Sequence, residues 1–400
     1  MLIFLAGTVA CGFSTTFPTL LVFRMVQGVG TGMLLPIMMN TILAIYPPEK
    51  RGTAIGLSLI AVVVAPAVGP TLSGLVLLYL DWHWLFFLIL PFAVLAIVIG
   101  SLHLENVSKL TEPKIDVLSI LLSTIGFGGI IFGVCSMESM GFLNPTVLVP
   151  LAYGIMGIAL FVKRQLTLPQ PMLEMRVFRF PMFSYGMVIF LIAFMIPFSV
   201  NIILPTFLQD SLQLTPFESG IALMPGGIIC GIITPLSGHM YDKIGAKPLI
   251  IAGFSMLAVT TFCFLHVSAS TALITIIVLH VLTYTGTSLI NTPLQTNCLN
   301  QLPREYNPHG VAIVNTVQQI SAAFGSSLFI GLMGAVQTKK LAGFGNPSAA
   351  QQKAAIVSGV NAAFTAAFVL VVTALVMSLF LKNRNPAAVA VRISSKHENS

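Results

Sequence analysis

Apolar residues fill this chain in long blocks, interrupted by short clusters of Pro, Gly, Ser and charged residues. Blocks near the roughly 20 residues that carry a helix across a bilayer predict twelve spans: 1–16, 18–46, 51–78, 82–102, 116–137, 145–164, 180–209, 217–240, 248–267, 272–301, 309–336 and 358–382. The block holding Ala61 to Gly74, AVVVAPAVGPTLSG, has an unusual interior. Counted from Pro66, its special residues Gly69, Pro70, Ser73 and Gly74 recur at three, four, seven and eight, and so stack on one side of a helix. Two prolines predict a bend, and the bare face predicts close approach by a neighbour, which together describe a pivot.

Composition turns these blocks into a class. A mean hydropathy of +0.95, with only 8% charged residues against about 25% in soluble domains, predicts an all-α integral membrane protein. The five cysteines, Cys11, Cys135, Cys230, Cys263 and Cys298, lie in apolar blocks without a metal-ligand spacing and read as buried small hydrophobes. The apolar start lacks a basic leader, so a cleaved signal peptide is not expected.

Charge then orients the chain. Fifteen of the 19 Lys and Arg residues, Lys50, Arg51 and Lys243 among them, fall in alternate loops and the tail, against Lys339, Lys340 and Lys353 in the others. The richer side is expected to be cytoplasmic, which puts the C-terminus inside and removes nucleic acid as a partner for the basic excess.

The chain also repeats. RMVQGVGTGMLLPIMMN from Arg24 aligns with HVLTYTGTSLINTPLQTN from His280, bringing Gly30-Thr31-Gly32 onto Gly286-Thr287-Ser288, and Arg51-Gly52 onto His309-Gly310, at an offset of 256 to 258. Two parallel copies of a multi-helix unit, with a site between them, are the plan of a two-bundle secondary transporter. Subtracting the offset from the loop GHMYDKIGAK, Gly238 to Lys247, gives a position before residue 1, so two helices of the first bundle are expected upstream of Met1.

These stretches resemble the major facilitator superfamily, specifically its fourteen-helix drug:proton antiporters of the EmrB/QacA type, from Met1 to about Lys382. The resemblance implies a major facilitator fold with about 12 of 14 helices in this chain. LVFRMVQGVGTG, Leu21 to Gly32, is similar to the fourth-helix motif, which implies proton transfer assisted by Arg24 and Gln27. An Arg within an apolar block is costly unless it faces a cavity or partner; snorkelling to the interface is the alternative. Ala61 to Gly74 resembles the fifth-helix antiporter motif, which implies an export hinge at Pro66, Gly69, Pro70, Ser73 and Gly74, with Ser73 where the family has Gly. Gly238, Asp242, Lys243, Gly245 and Lys247 resemble the cytoplasmic gate loop G-x-L-x-D-R-x-G-R-K, with Ala246 in place of an Arg. The blocks at 116–137 and 145–164 are the extra pair that marks the fourteen-helix branch.

Proton exchange inside a membrane usually needs a carboxylate. All twelve acidic residues lie in loops, at helix ends or in the tail, so His280, at the repeat position of Arg24, is the substitute candidate, with a packing role as its alternative. Polar stripes predict the substrate path: Asn291 and Gln295 on one helix and Asn315, Gln318 and Gln319 on the next, with Phe194 and Phe198 among the apolar wall. Interhelical hydrogen bonding is the alternative for each.

The sequence therefore predicts a secondary active transporter exporting drugs or other amphipathic or cationic small molecules by proton antiport. It predicts no cofactor beyond the proton gradient, no metal and no enzyme chemistry; accessory export proteins are not identified. A non-transporting remnant or regulatory fragment is the main alternative, and an uptake permease the weaker one. Expected units are an N-terminal bundle at 1–102, linker helices within 103–179, a C-terminal bundle at 180–382 and a cytoplasmic tail at 383–400.

Overall fold

The computed structural model describes residues 1–103, 116–141, 144–169, 171–342, 344 and 348–382, without the side chains of 61, 63, 66, 67, 70 and 138–140. The tail at 383–400 and the Pro66 and Pro70 side chains therefore lie outside the described residues. Every described element is helical: α1 (Leu2–Gly12), α2 (Phe17–Ile45), α3 (Arg51–Tyr79), α4 (Trp84–Phe87), α5 (Leu90–His103), α6 (Val117–Met140), α7 (Pro145–Thr167), α8 (Pro181–Asp210), α9 (Pro216–Ile244), α10 (Ala246–Phe264), α11 (Leu273–Asn300), α12 (Asn307–Leu341) and α13 (Ala349–Leu379). Each of the twelve predicted blocks corresponds to one helix, except 82–102, which becomes the short α4 followed by α5. Ten spans among the described residues are long and apolar enough to cross a membrane; α1 is shorter.

Local chemistry sets the helix ends. The side chains of Thr16, Thr215 and Ser348 each accept a hydrogen bond from the backbone N–H of the third residue of the following helix, whose own side chain accepts one from the cap backbone N–H, closing capping boxes at α2, α9 and α13. The loop expected at Gly238 to Lys247 is helical apart from Gly245: α9 runs to Ile244 and α10 begins at Ala246. Gly245 has φ +81°, a left-handed conformation that glycine adopts without a Cβ penalty, so one residue reverses the chain.

The main core is built mostly from α8 to α13, with Phe183, Phe190, Phe207, Phe254, Phe329 and Phe364 fully buried, and is joined by Met39 and Leu43 of α2 and Ile55 of α3. Large apolar side chains point outward on most helices, among them Phe92 and Leu102 on α5 and Ile155 on α7, as a lipid-facing surface requires. Cys135 and Cys263 share that outer surface, which corrects the expectation that all five cysteines are buried; only Cys11, Cys230 and Cys298 are.

α3 and α9 lie antiparallel in contact from end to end. A Cβ on Gly238 would fall onto the Gly52 carbonyl oxygen, and one on Gly231 onto Val64; one on Gly56 would lie 2.9 Å from Pro235 Cα, one on Gly220 2.9 Å from Thr71 Oγ1, and one on Gly74 4.0 Å from Phe217 Cα. Small residues on both helices thus let the backbones touch along one seam. Gly69 does not take part, since nothing lies within 4 Å of its Cβ position; the close approach expected across the motif's bare face is made mainly elsewhere on α3.

α6 and α7 form a hairpin in which Gly126, Gly129, Gly154 and Gly157 admit the facing backbone, and α6 also packs on α12. Asp116, at the start of α6, takes both prongs of the Arg164 guanidinium at 2.8 and 2.9 Å. This fork and the Ser119 hydroxyl hold its carboxyl well below the usual carboxylate range.

Candidate functional site

Three polar assemblies line the interface between α2–α3 and α8–α12. The first closes the Arg51 end of the seam. Asp242, in the last turn of α9, accepts hydrogen bonds from the Gly52 and Thr53 backbone N–H groups at 3.0 and 2.9 Å and from the Thr53 hydroxyl at 2.6 Å. These are unpaired donors of the first turn of α3, so a carboxylate there satisfies both the hydrogen bonds and the helix dipole. Beside it Arg51, only 3% exposed, donates to the carbonyls of Leu43 and Tyr46 and to Asn300 Oδ1 at 2.9 Å, and Asn300 donates to the Tyr241 hydroxyl at 3.0 Å. The two clasps tie α2 and α3 to α9 and α11. Of the other gate residues, Gly238 touches Gly52, Gly245 makes the turn, Lys243 is exposed and Lys247 is half-buried.

The second assembly is a cleft of about 610 Å³ between α2 and α12, lined on one wall by Arg24, Gln27, Gly28 and Thr31 and on the other by Asn315, Thr316 and Gln319. The spacing of three and four on each helix puts these residues on one face. Arg24 donates to Gln27 Oε1 at 3.2 Å and lies 5.1 Å from the Phe86 ring centroid; Gln27 in turn donates to the Thr8 hydroxyl at 2.8 Å. The guanidinium is thus held toward the cleft by a hydrogen bond and a cation–π contact. A cleft of this size falls in the range of small-molecule sites. The structure brings Arg24 and Gln27, expected to assist proton transfer, into one cleft with Asn315 and Gln319, expected on the substrate path.

The third is a cavity of about 230 Å³ toward the Tyr79 end, where Ser73 and Gly74 of the antiporter motif meet His280 and Tyr284 of α11 and residues of α8 and α9. His280 is 2% exposed and neither ring nitrogen has a hydrogen-bond partner among the described residues. Its imidazole occupies the space left by Gly226, where a Cβ would collide with Nδ1, and its ring lies 4.7 Å from that of Tyr284.

The remaining predicted path residues disperse. Phe194 is buried in the core in a ladder with Phe190 at 4.3 Å and Phe198 at 6.4 Å, packing the middle of α8 rather than lining either cavity. Gln295 is buried and Asn291 half-buried, with its Oδ1 unpartnered among the described residues; Gln318 is half-buried outside the cleft lining. Arg51 and Asn300 were not predicted. Arg51 was counted only as a loop charge, and its repeat pairing with His309 is the one signal that set it apart. Among the described residues, no group of three His, Cys, Asp or Glu could hold a metal.

Known proteins place this architecture. Residues 1–326 match the Major Facilitator Superfamily. The lincomycin resistance protein LmrB of Bacillus subtilis is 46% identical over 379 residues, covering 94% of this chain and 79% of that protein. The multidrug export protein EmrB of Escherichia coli K12 is 30% identical over 252 residues, 62% of this chain and 49% of that one. Among solved structures, the proton:xylose symporter XylE shares the fold at TM-score 0.58 and 15% identity, covering 96% of this chain and 79% of that chain. With two helix sets meeting around polar clefts, and a family match over most of its length, this chain belongs to the Major Facilitator Superfamily as a multi-pass membrane transporter.

Proposed function

We propose that this protein exports amphipathic small molecules, drugs among them, by exchange with protons through alternating access, with the Arg51 end and the C-terminus facing the cytoplasm. The observation that carries this reading is the α2–α12 cleft, where a fixed guanidinium faces neutral amides across about 610 Å³. Arg24 and Gln27 work as one unit in it: the cation holds the amide, and Gln27 passes the connection to Thr8 on α1. Such a linked chain suits a group that steers a proton without itself losing charge, because Arg stays protonated. Asn315 and Gln319 supply neutral donors and acceptors for substrate. Asp242 and Arg51 form the cytoplasmic gate in this reading, and His280 is a second coupling candidate. The α6–α7 hairpin, set between the helices of the two expected bundles, supports assignment to the fourteen-helix branch.

Lincomycin is the first compound to test, on the strength of the relatives named for resistance to it. The chain, expressed in a susceptible host, is expected to raise the lincomycin concentration that stops growth and to speed dye efflux, both collapsing when the proton gradient is dissipated. Efflux that survives collapse of the gradient would overturn proton coupling. No efflux at all would favour a non-transporting role, and net accumulation of drug by intact cells would favour uptake.

A further inference from the structure

Lipid-facing grooves and the cation-lined hollow beside Lys163 lack buried polar groups; the cavity below the Tyr79 end of the seam is built differently. It holds both nitrogens of His280 and the hydroxyl of Ser219, 1% exposed, none of which has a hydrogen-bond partner among the described residues. Asn201 and Gln209 add amides on the α8 side, with Asn201 also hydrogen-bonded to Tyr284. A neutral imidazole offers one donor and one acceptor, and a hydroxyl offers both, so the free valences here are mixed in sign. Among the described residues, no Asp, Glu, Lys or Arg lines the cavity. Leaving such groups unpaired in a buried site costs free energy, which a ligand of matching pattern recovers.

We infer that this cavity is a second ligand site, separate from the α2–α12 cleft, for a neutral hydroxyl-bearing ring of about monosaccharide size or an equal-sized part of a larger molecule. The size follows from about 230 Å³, compared with the roughly 150 Å³ that accommodates benzene. Neutrality follows from the uncharged character of the described lining, and hydroxyls from the need to both give and accept hydrogen bonds. The His280 and Tyr284 rings, tilted by 49° with centroids 4.7 Å apart, and the apolar Leu223 offer apolar surface to a saturated ring. The lining comes from α3 on one side and α8, α9 and α11 on the other, so the site is complete only while this end of the seam is shut.

The test uses the full chain in lipid nanodiscs with methyl β-D-glucoside as probe, followed by saturation-transfer NMR and titration. The wild-type protein should bind it. Ser219→Ala and His280→Leu should each weaken binding about fivefold or more, the effect expected for a lost buried hydrogen bond. Val278→Ala, on the outward face of the same helix, should bind as wild type. Absence of binding by wild type, showing a cavity filled by water alone, would overturn the inference, as would unchanged binding by both cavity variants. Protonated glucosamine should bind more weakly; equal binding would overturn the neutral specificity. Lincomycin efflux by the same proteins is read in parallel, so efflux without glucoside binding removes this site and leaves the transport reading intact.

Discussion

At the scale of single residues, the most consequential is Asp242, because its carboxylate reaches across from one helix end to another. Replacing it with Asn keeps the size but removes the charge that favours three donors and the positive end of α3. Asp242→Asn should lower the thermal midpoint of the purified protein by several degrees, through a loss of about 1–3 kcal/mol; an unchanged melting curve would show that the clasp contributes nothing. Asp116 behaves differently with pH. Its carboxyl is held below its ordinary value by Arg164, so its contribution is complete above the unfolded value near ~4 and fades only as pH falls further. Thermal stability measured from pH 7 to 3 should therefore drop more steeply in wild type than in Asp116→Asn below about pH 4, with no difference in slope between pH 5 and 8. Arg24→Lys keeps the charge but loses the planar fork that binds Gln27 and faces Phe86. Efflux should fall about tenfold or more while protein abundance in the membrane stays the same.

At the scale of elements, the α3–α9 seam makes a direct prediction. In a cysteine-free background, cysteines at Gly74 and Phe217 should form a disulfide on oxidation, because a Gly74 Cβ lies 4.0 Å from the Phe217 Cα. The cross-link should stop efflux, and reduction should restore it. Most helices were legible before the structure: block length and helix punctuation placed a helix in each of the twelve blocks, ten spans among the described residues being long and apolar enough to cross a membrane, since burial in lipid demands long apolar helices whatever the tertiary contacts. What the sequence could not convey was which glycines touch. The antiporter motif drew attention to Gly69, yet the close contacts fall at Gly52, Gly56, Gly220, Gly231 and Gly238, because approach depends on the partner helix and no single-helix pattern contains that information. The same limit explains Phe194: a residue in a helix rich in apolar side chains has no local signal telling cavity from core. Arg24 and Gln319 were each singled out because each breaks an apolar block on its own helix; that they face one cleft depends on the packing of α2 against α12.

For the whole molecule, the chain joins two polar compartments, one between α2 and α12 and one between α3 and α8, α9 and α11. Both are bounded by elements from each side of the expected bundle division, so relative tilting would remodel both together. The full-length contact of α3 with α9 adds a further consequence. Two rods touching from end to end can part at one end by pivoting on the other, but a passage open at both ends requires the entire line of contact to dissolve. An accidental pore would have to break the Asp242 clasp, the glycine contacts and the Tyr79-end cavity at once. In the transport cycle proposed above, the helix pair would act as electrical insulation, keeping the ion gradient from short-circuiting whether or not cargo is aboard.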